Sequence, residues 1–193
     1  MKPHTLLVSF VLLLALYSLP GCKDKCKGVN CPPNGQCDPE TGDCIIDFCA
    51  TANCGAHGTC NPANGVCNCD TGYQGANCDT TWSTKFVHAA GWSASDNTTA
   101  STAGTPLGIF TYVPTITATA PATVRVNGMS GFANSQINFS LTSPTAFTCN
   151  QTDAAGRVYT GSGSITGDTL TVNYTVTYTD ATNDVITGKW RKN

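Results

Sequence analysis

The chain has 193 residues, of which 11% are charged and 40% hydrophobic, with 12 cysteines and a formal net charge of −2. So few charges, nearly balanced, exclude the basic footprint of a nucleic-acid binder; "KDKCK" (Lys23–Lys27) and "KWRK" (Lys189–Lys192) read as short solvated clusters. Twelve cysteines exclude an ordinary reducing compartment and point to an oxidising one, where thiols pair as disulfides.

The chain opens "MKPHTLLVSFVLLLALYSLPGC", with Lys2 ahead of an apolar run from Leu6 to Leu19 that breaks at Pro20-Gly21. That run is shorter than the roughly 20 apolar residues needed to cross a bilayer, which predicts an export signal over residues 1–21. "LPGC" (Leu19–Cys22) resembles the lipobox of bacterial lipoproteins, with Pro20 where a small residue is usual. The resemblance implies that Cys22 receives a diacylglyceryl thioether and becomes the first residue of the mature chain. "KDK" (Lys23–Lys25) resembles the charged starts of lipoproteins from the Bacteroidota. It implies a lipid-anchored place at the outer membrane, on the cell surface or on the periplasmic face. Acyl chains contribute about 0.8 kcal/mol per buried methylene, so two of them hold a small domain at a bilayer. The expected partners are the membrane, through this lipid, and a protein or glycan; nucleic acid is not among them.

Next come "CKGVNCPPNGQCDPETGDC" (Cys26–Cys44) and "CATANCGAHGTCNPANGVC" (Cys49–Cys67), both spaced C-x4-C-x5-C-x6-C. The second continues as "NCDTGYQGANC" to Cys78, and the whole of 49–78 resembles an EGF-like module, Gly72, Tyr73 and Gly75 included. The resemblance implies the pairs Cys49–Cys60, Cys54–Cys67 and Cys69–Cys78. By analogy residues 22–48 carry a truncated module pairing Cys26–Cys37 and Cys31–Cys44. About thirty residues cannot bury a core that offsets their chain entropy, and bridges worth roughly 2–4 kcal/mol each take its place. Cys22 and Cys149 are left over. With Cys22 acylated, Cys149 is a free thiol in phase with Phe147 on a strand; a Cys22–Cys149 bridge and an intermolecular one are the alternatives. No C-x2-C pair occurs and His57 is the one histidine in the cluster, against zinc. Phe48 stands where a calcium-binding EGF module has an acid, and Asp47 and Asn61 answer only remotely to its ligands. No metal and no cofactor is expected.

From residue 79 to 193 the composition turns to Thr, Val, Ile and Tyr. Leu170, Val172, Tyr174, Val176 and Tyr178 alternate with Thr171, Asn173, Thr175 and Thr177, the period of a half-buried strand. Similar alternation marks Val124–Val126, Ile137–Leu141 and Tyr159–Ile165, where Gly161 and Gly163 allow a bend or a close neighbour. Gly167-Asp168 and Asn127-Gly128 read as turns. The fold class is therefore all-β: small disulfide-rich modules, then an antiparallel meander of seven or eight strands closed as a barrel or a sandwich. "TITATAPATVRVNGMSGF" and "CNQTDAAGRVYTGSGSITGDTLTVNYTVTYTD" resemble the lipocalin-like, calycin-type β-domains of Bacteroidota lipoproteins.

The inward tyrosines Tyr112, Tyr174 and Tyr178, with Trp82, Trp92 and Trp190, are the candidates to line a ligand; the alternative is packed core. "GSGSITG" opens no helix, so a hairpin is favoured over a phosphate loop. Asp96, Asp153, Asp168, Asp180 and Asp184 fall mostly at predicted turns, and neither His57 nor His88 joins a nucleophile system, so no catalytic residue is expected. "DTT" at Asp79 resembles the O-glycosylation acceptor of the Bacteroidota and implies Thr80 as a glycan site. The function expected is non-enzymatic interaction with a protein or glycan from an EGF-like stalk, the alternative being calycin-type carriage of a small apolar ligand.

Overall fold

A computed structural model describes residues 25–193. The expected export signal (1–21) and Cys22, the expected acylation site, lie outside the described residues. The chain divides into two units, one ending at Ala50 and the other running from Thr51 to Asn193.

In the first unit, β1 (Gly35–Cys37) pairs antiparallel with β2 (Cys44–Ile46). Cys26 is bridged to Cys37 and Cys31 to Cys44. The connection turns at Gly42, whose φ of 83° is left-handed, and Asp38 Oδ1 accepts from the Glu40 amide. Ile45 is 61% exposed, so the bridges and not an apolar core hold this hairpin.

The second unit begins with two short hairpins, β3 (Gly58–Cys60) with β4 (Cys67–Cys69) and β5 (Tyr73–Gln74) with β6 (Thr80–Thr81). Cys54 is bridged to Cys67 and Cys69 to Cys78; Cys49 and Cys60 are both disulfide-bonded. This hairpin pair is fastened to the β-domain at Trp82, whose amide donates to Gly72 O and whose indole Nε1 donates to Tyr73 O at 2.8 Å. The Ser83 amide donates to Pro121 O, and Gly72 leaves just enough room for Pro121, since a Cβ there would lie 2.9 Å from the proline ring. Trp82 is thus spent on a junction rather than on a ligand. That junction is why residues from 51 onward form one unit with the β-domain.

Nine strands make the β-domain: β7 (Trp92–Ser101), β8 (Gly108–Tyr112), β9 (Thr115–Ala120), β10 (Thr123–Asn127), β11 (Gln136–Ser143), β12 (Ala146–Thr152), β13 (Val158–Thr166), β14 (Thr169–Thr177) and β15 (Asn183–Lys192). They form one antiparallel sheet in the order β8-β7-β15-β14-β13-β12-β11-β10-β9. There is one sheet where a sandwich would need two, and the sheet curls into a half-barrel. The curl follows from connectivity. β8 and β9 are the two edges, yet only Val113 and Pro114 join them, a link that spans about 10 Å at full stretch. The edges are therefore drawn together at that link without pairing.

Alternation fills the concave side. Trp92, Trp190, Tyr159, Phe139, Val124, Val126, Leu170 and Val176 are fully buried. Phe139 and Phe147 stack at 4.0 Å between centroids, and Phe86 meets Phe147 edge-on while its carbonyl accepts from Trp92 Nε1. Phe86, entirely buried, plugs the barrel end nearest the Trp82 junction. The close approach read at Gly161 and Gly163 is real: a Cβ at 161 would overlap Asn173 O and at 163 Thr171 O and the Phe147 ring. "GSGSI" is accordingly strand β13, and Gly167 (φ 56°) opens the two-residue turn into β14.

Candidate functional site

The strand β7 reads "WSASDNTTAS", and phase from Trp92 turns Ala94, Asp96 and Thr98 inward. Asp96 is fully buried. Its Oδ2 accepts from Tyr112 OH at 2.7 Å and Tyr174 OH at 2.5 Å, and its Oδ1 from Trp190 Nε1 at 2.7 Å. Gly188 on β15 sits opposite in register, and any Cβ there would overlap Asp96 Oδ1. Burial pushes the carboxyl pKa upward against the pull of the three hydrogen bonds. Burial, followed by Asp96 itself, raises Tyr112, and burial with Tyr112 and Asp96 raises Tyr174, so both phenols remain donors. Two of the three candidate ligand tyrosines therefore turn their hydroxyls onto an internal carboxylate. Every strong donor around Asp96 is used, and the arrangement organises the core.

The third tyrosine, Tyr178, lies at the opposite end of the half-barrel from Phe86. Its hydroxyl donates to Asp184 Oδ2 at 2.8 Å, beside Thr105 Oγ1 at 2.8 Å. Nearby, Asp153 takes the amides of Ala155 and Arg157 on Oδ1 and the Arg157 guanidinium on Oδ2 at 2.6 Å. Burial raises the Asp153 pKa, but Arg157 and these amides outweigh it and hold the carboxyl below the ordinary range. Asp153 and Asp180 do cap turns, and the exposed Asp168 meets Lys192 at 3.5 Å. Asp96 and Asp184, however, sit within strands and are buried. The turn reading is corrected there, because a buried carboxylate supplied with donors can occupy an inward strand position that propensity assigns to an apolar residue.

The convex face near the free β8 edge is different in kind. Register sets Ile109 beside Asn97 and Thr187, and Thr111 beside Ser95 and Lys189. Two shallow depressions of about 650 and 380 Å³ lie on this face and share Ser95 and Lys189. Leu107, Ile109 and Val113 are exposed by 65%, 74% and 66% along the unpaired edge.

The remaining nominated residues are dispersed. Thr80 is exposed on β6, its hydroxyl donating to Asp79 Oδ1 at 3.2 Å. Cys149 is a free, buried thiol on β12, its pKa pushed up to about 11 by burial. His57 stacks on Tyr73 at 3.8 Å, and His88 Nε2 is 2.8 Å from Asn193 O. Among the described residues no group of three or more His, Cys, Asp or Glu could hold a metal. The outer face escaped the sequence reading because it exists only once the register is known; the exposed apolar residues around β8 were its one visible trace.

Residues 49–78 match the EGF-like domain family. The chain is also similar to a crystal structure from Bacteroides fragilis, provisionally described as an outer membrane protein, at 16% identity and a TM-score of 0.35. That likeness covers 58% of this chain and 54% of the other, so this chain spans about half of that protein's length, too distantly to carry an argument about role. No curated protein matches the chain.

Proposed function

We propose that this is an outer-membrane lipoprotein, anchored through acyl chains on Cys22, whose β-domain is a non-enzymatic interaction module for a protein or glycan partner. One observation carries the reading: β8 is an edge strand, paired among the described residues on its β7 side alone, with Leu107, Ile109 and Val113 exposed in and beside it, next to a face of Ser, Thr and Asn side chains with Lys189 and Arg191. Such an edge offers free backbone groups and apolar contacts to an added strand, while the hydroxyl and amide rows suit polar recognition. The lipobox-like "LPGC" supports the anchor, and the disulfide-held segments suit a spacer outside the cytoplasm. Thr80, exposed in the junction strand, is the proposed glycan site. The filled interior supports recognition outside the barrel over carriage of an apolar ligand within it.

The test compares the soluble chain starting at Lys23 with its Ile109→Lys/Val113→Lys variant, on glycan arrays and in cross-linking at the cell surface. The expected result is a specific partner for the parent chain and loss of at least about 90% of that binding in the variant, with unchanged melting. Undiminished binding by the folded variant would move the site elsewhere.

A further inference from the structure

At the half-barrel end away from Phe86, two buried polar atoms make no hydrogen bond among the described residues: Thr98 Oγ1 and Asp184 Oδ1. Both residues are only 2% exposed, and both line a cavity of about 150 Å³ with Ser130, Phe110, Phe132 and Tyr178. A buried carboxylate oxygen without a donor is costly, and buried charges are ordinarily paired. Asp184 has no such pair. The two ion pairs among the described residues are Arg157–Asp153 and Lys192–Asp168. Burial raises the Asp184 pKa, but the hydroxyls of Ser101, Thr105 and Tyr178 more than offset it, so the group is ionised at neutral pH. Of these, Tyr178 and Thr105 make aligned hydrogen bonds, both to Oδ2.

The other charges at this end are accounted for. The Arg157 guanidinium lies 3.7 Å over the Phe132 ring, which shows that this ring accepts a cation on its face, but its charge is held by Asp153. The cavity thus combines a carboxylate with no ion-pair partner among the described residues, a hydroxyl with no hydrogen bond among them, and three aromatic walls. Its volume equals that of roughly five liquid waters, too small for a fatty acid and large enough for an amine head with a few methylenes.

We propose that this cavity binds a primary alkylammonium group, its N–H donors directed to Asp184 Oδ1 and Thr98 Oγ1 and its methylenes against Phe110, Phe132 and Tyr178. A quaternary ammonium would meet the rings equally well but has no N–H, and would leave both oxygens unpaired. The site therefore selects by hydrogen-bond donation as well as by charge. It is separate from the convex face proposed above, and the same chemistry is offered by a free alkylamine or by a lysine side chain.

The test is calorimetric and NMR titration of the intact, disulfide-bonded chain with n-butylammonium, Nα-acetyl-lysine amide and butyltrimethylammonium at fixed ionic strength. Saturable one-to-one binding of n-butylammonium is expected, about tenfold or more weaker for butyltrimethylammonium and for Asp184→Asn. Binding of butylammonium alone identifies a free amine; binding of both primary amines shows that a lysine side chain also enters; either result supports the proposal. Thr98→Val, which keeps the shape of the site, is expected to weaken binding by severalfold and serves if Asp184→Asn fails to fold. Absence of saturable binding by either primary amine, equal affinity for the quaternary ion, or unchanged affinity in a folded Asp184→Asn or Thr98→Val chain would overturn it.

Discussion

Between Cys26 and Cys78 the buried apolar side chains are those of Cys54 and Cys78, while Ile45 and Val66 stand about 60% in solvent. Between Trp92 and Lys192 the proportions reverse: two tryptophans, Tyr159, Phe139 and a row of aliphatic residues are fully enclosed, and the one cysteine, Cys149, has no bridge. The first region answers chain entropy by covalent links that restrict the unfolded state; the second does it by removing apolar surface from water. The difference shows which chemistry each region can tolerate. A bridged hairpin can expose nearly all its side chains, so its sequence is free outside the cysteines and turn glycines. A filled half-barrel constrains every inward position, and its freedom to vary lies on its convex face and at its ends.

Reduction should separate the two regions most widely. With dithiothreitol present, amides between Cys26 and Cys78 are expected to lose hydrogen-exchange protection altogether, since bridges worth roughly 2–4 kcal/mol each are removed. Protection in β7 and β10–β15 is expected to persist, because Cys149 is buried, with its pKa raised to about 11, and takes no part in exchange. Collapse of the sheet under the same conditions would show that the β-domain also depends on the bridges.

Substitution at Gly188 sharpens it from the other side. Gly188→Ala puts a methyl on top of Asp96 Oδ1 and should lower β-domain stability by more than about 3 kcal/mol in chemical denaturation, leaving the oxidised hairpins intact. Asp96→Ala should cost a comparable amount, because Tyr112, Tyr174 and Trp190 lose their acceptor and each buried donor left unpaired costs about 1–3 kcal/mol. A neutral result at both positions would mean that the buried network does not organise the core.

Much of this was legible in the order of residues, and the illegible parts have physical causes. Cysteine spacing marks the hairpins because a bridge needs particular residues at particular separations. Alternation marks β10, β11, β13 and β14, whose inward faces are aromatic or aliphatic. β7 and β15 are hidden because their inward rows include Asp96, Thr98, Asp184 and Gly188, which only a partner strand explains. Nor does the sequence reveal that β8 and β9, two residues apart, become opposite edges of one sheet. Tyr174 lies in the core and Tyr112 and Tyr178 pack against it, but the carboxylate that Tyr112 and Tyr174 share lies 16 and 78 residues from them.

On the function proposed, the half-barrel is a scaffold with a filled middle, and recognition belongs to its convex face and its ends. The most direct measurement titrates the folded chain with a saturated fatty acid while following the emission of the core tryptophans Trp92 and Trp190. No saturable change is expected; a stoichiometric, saturable shift in that emission would contradict a filled interior.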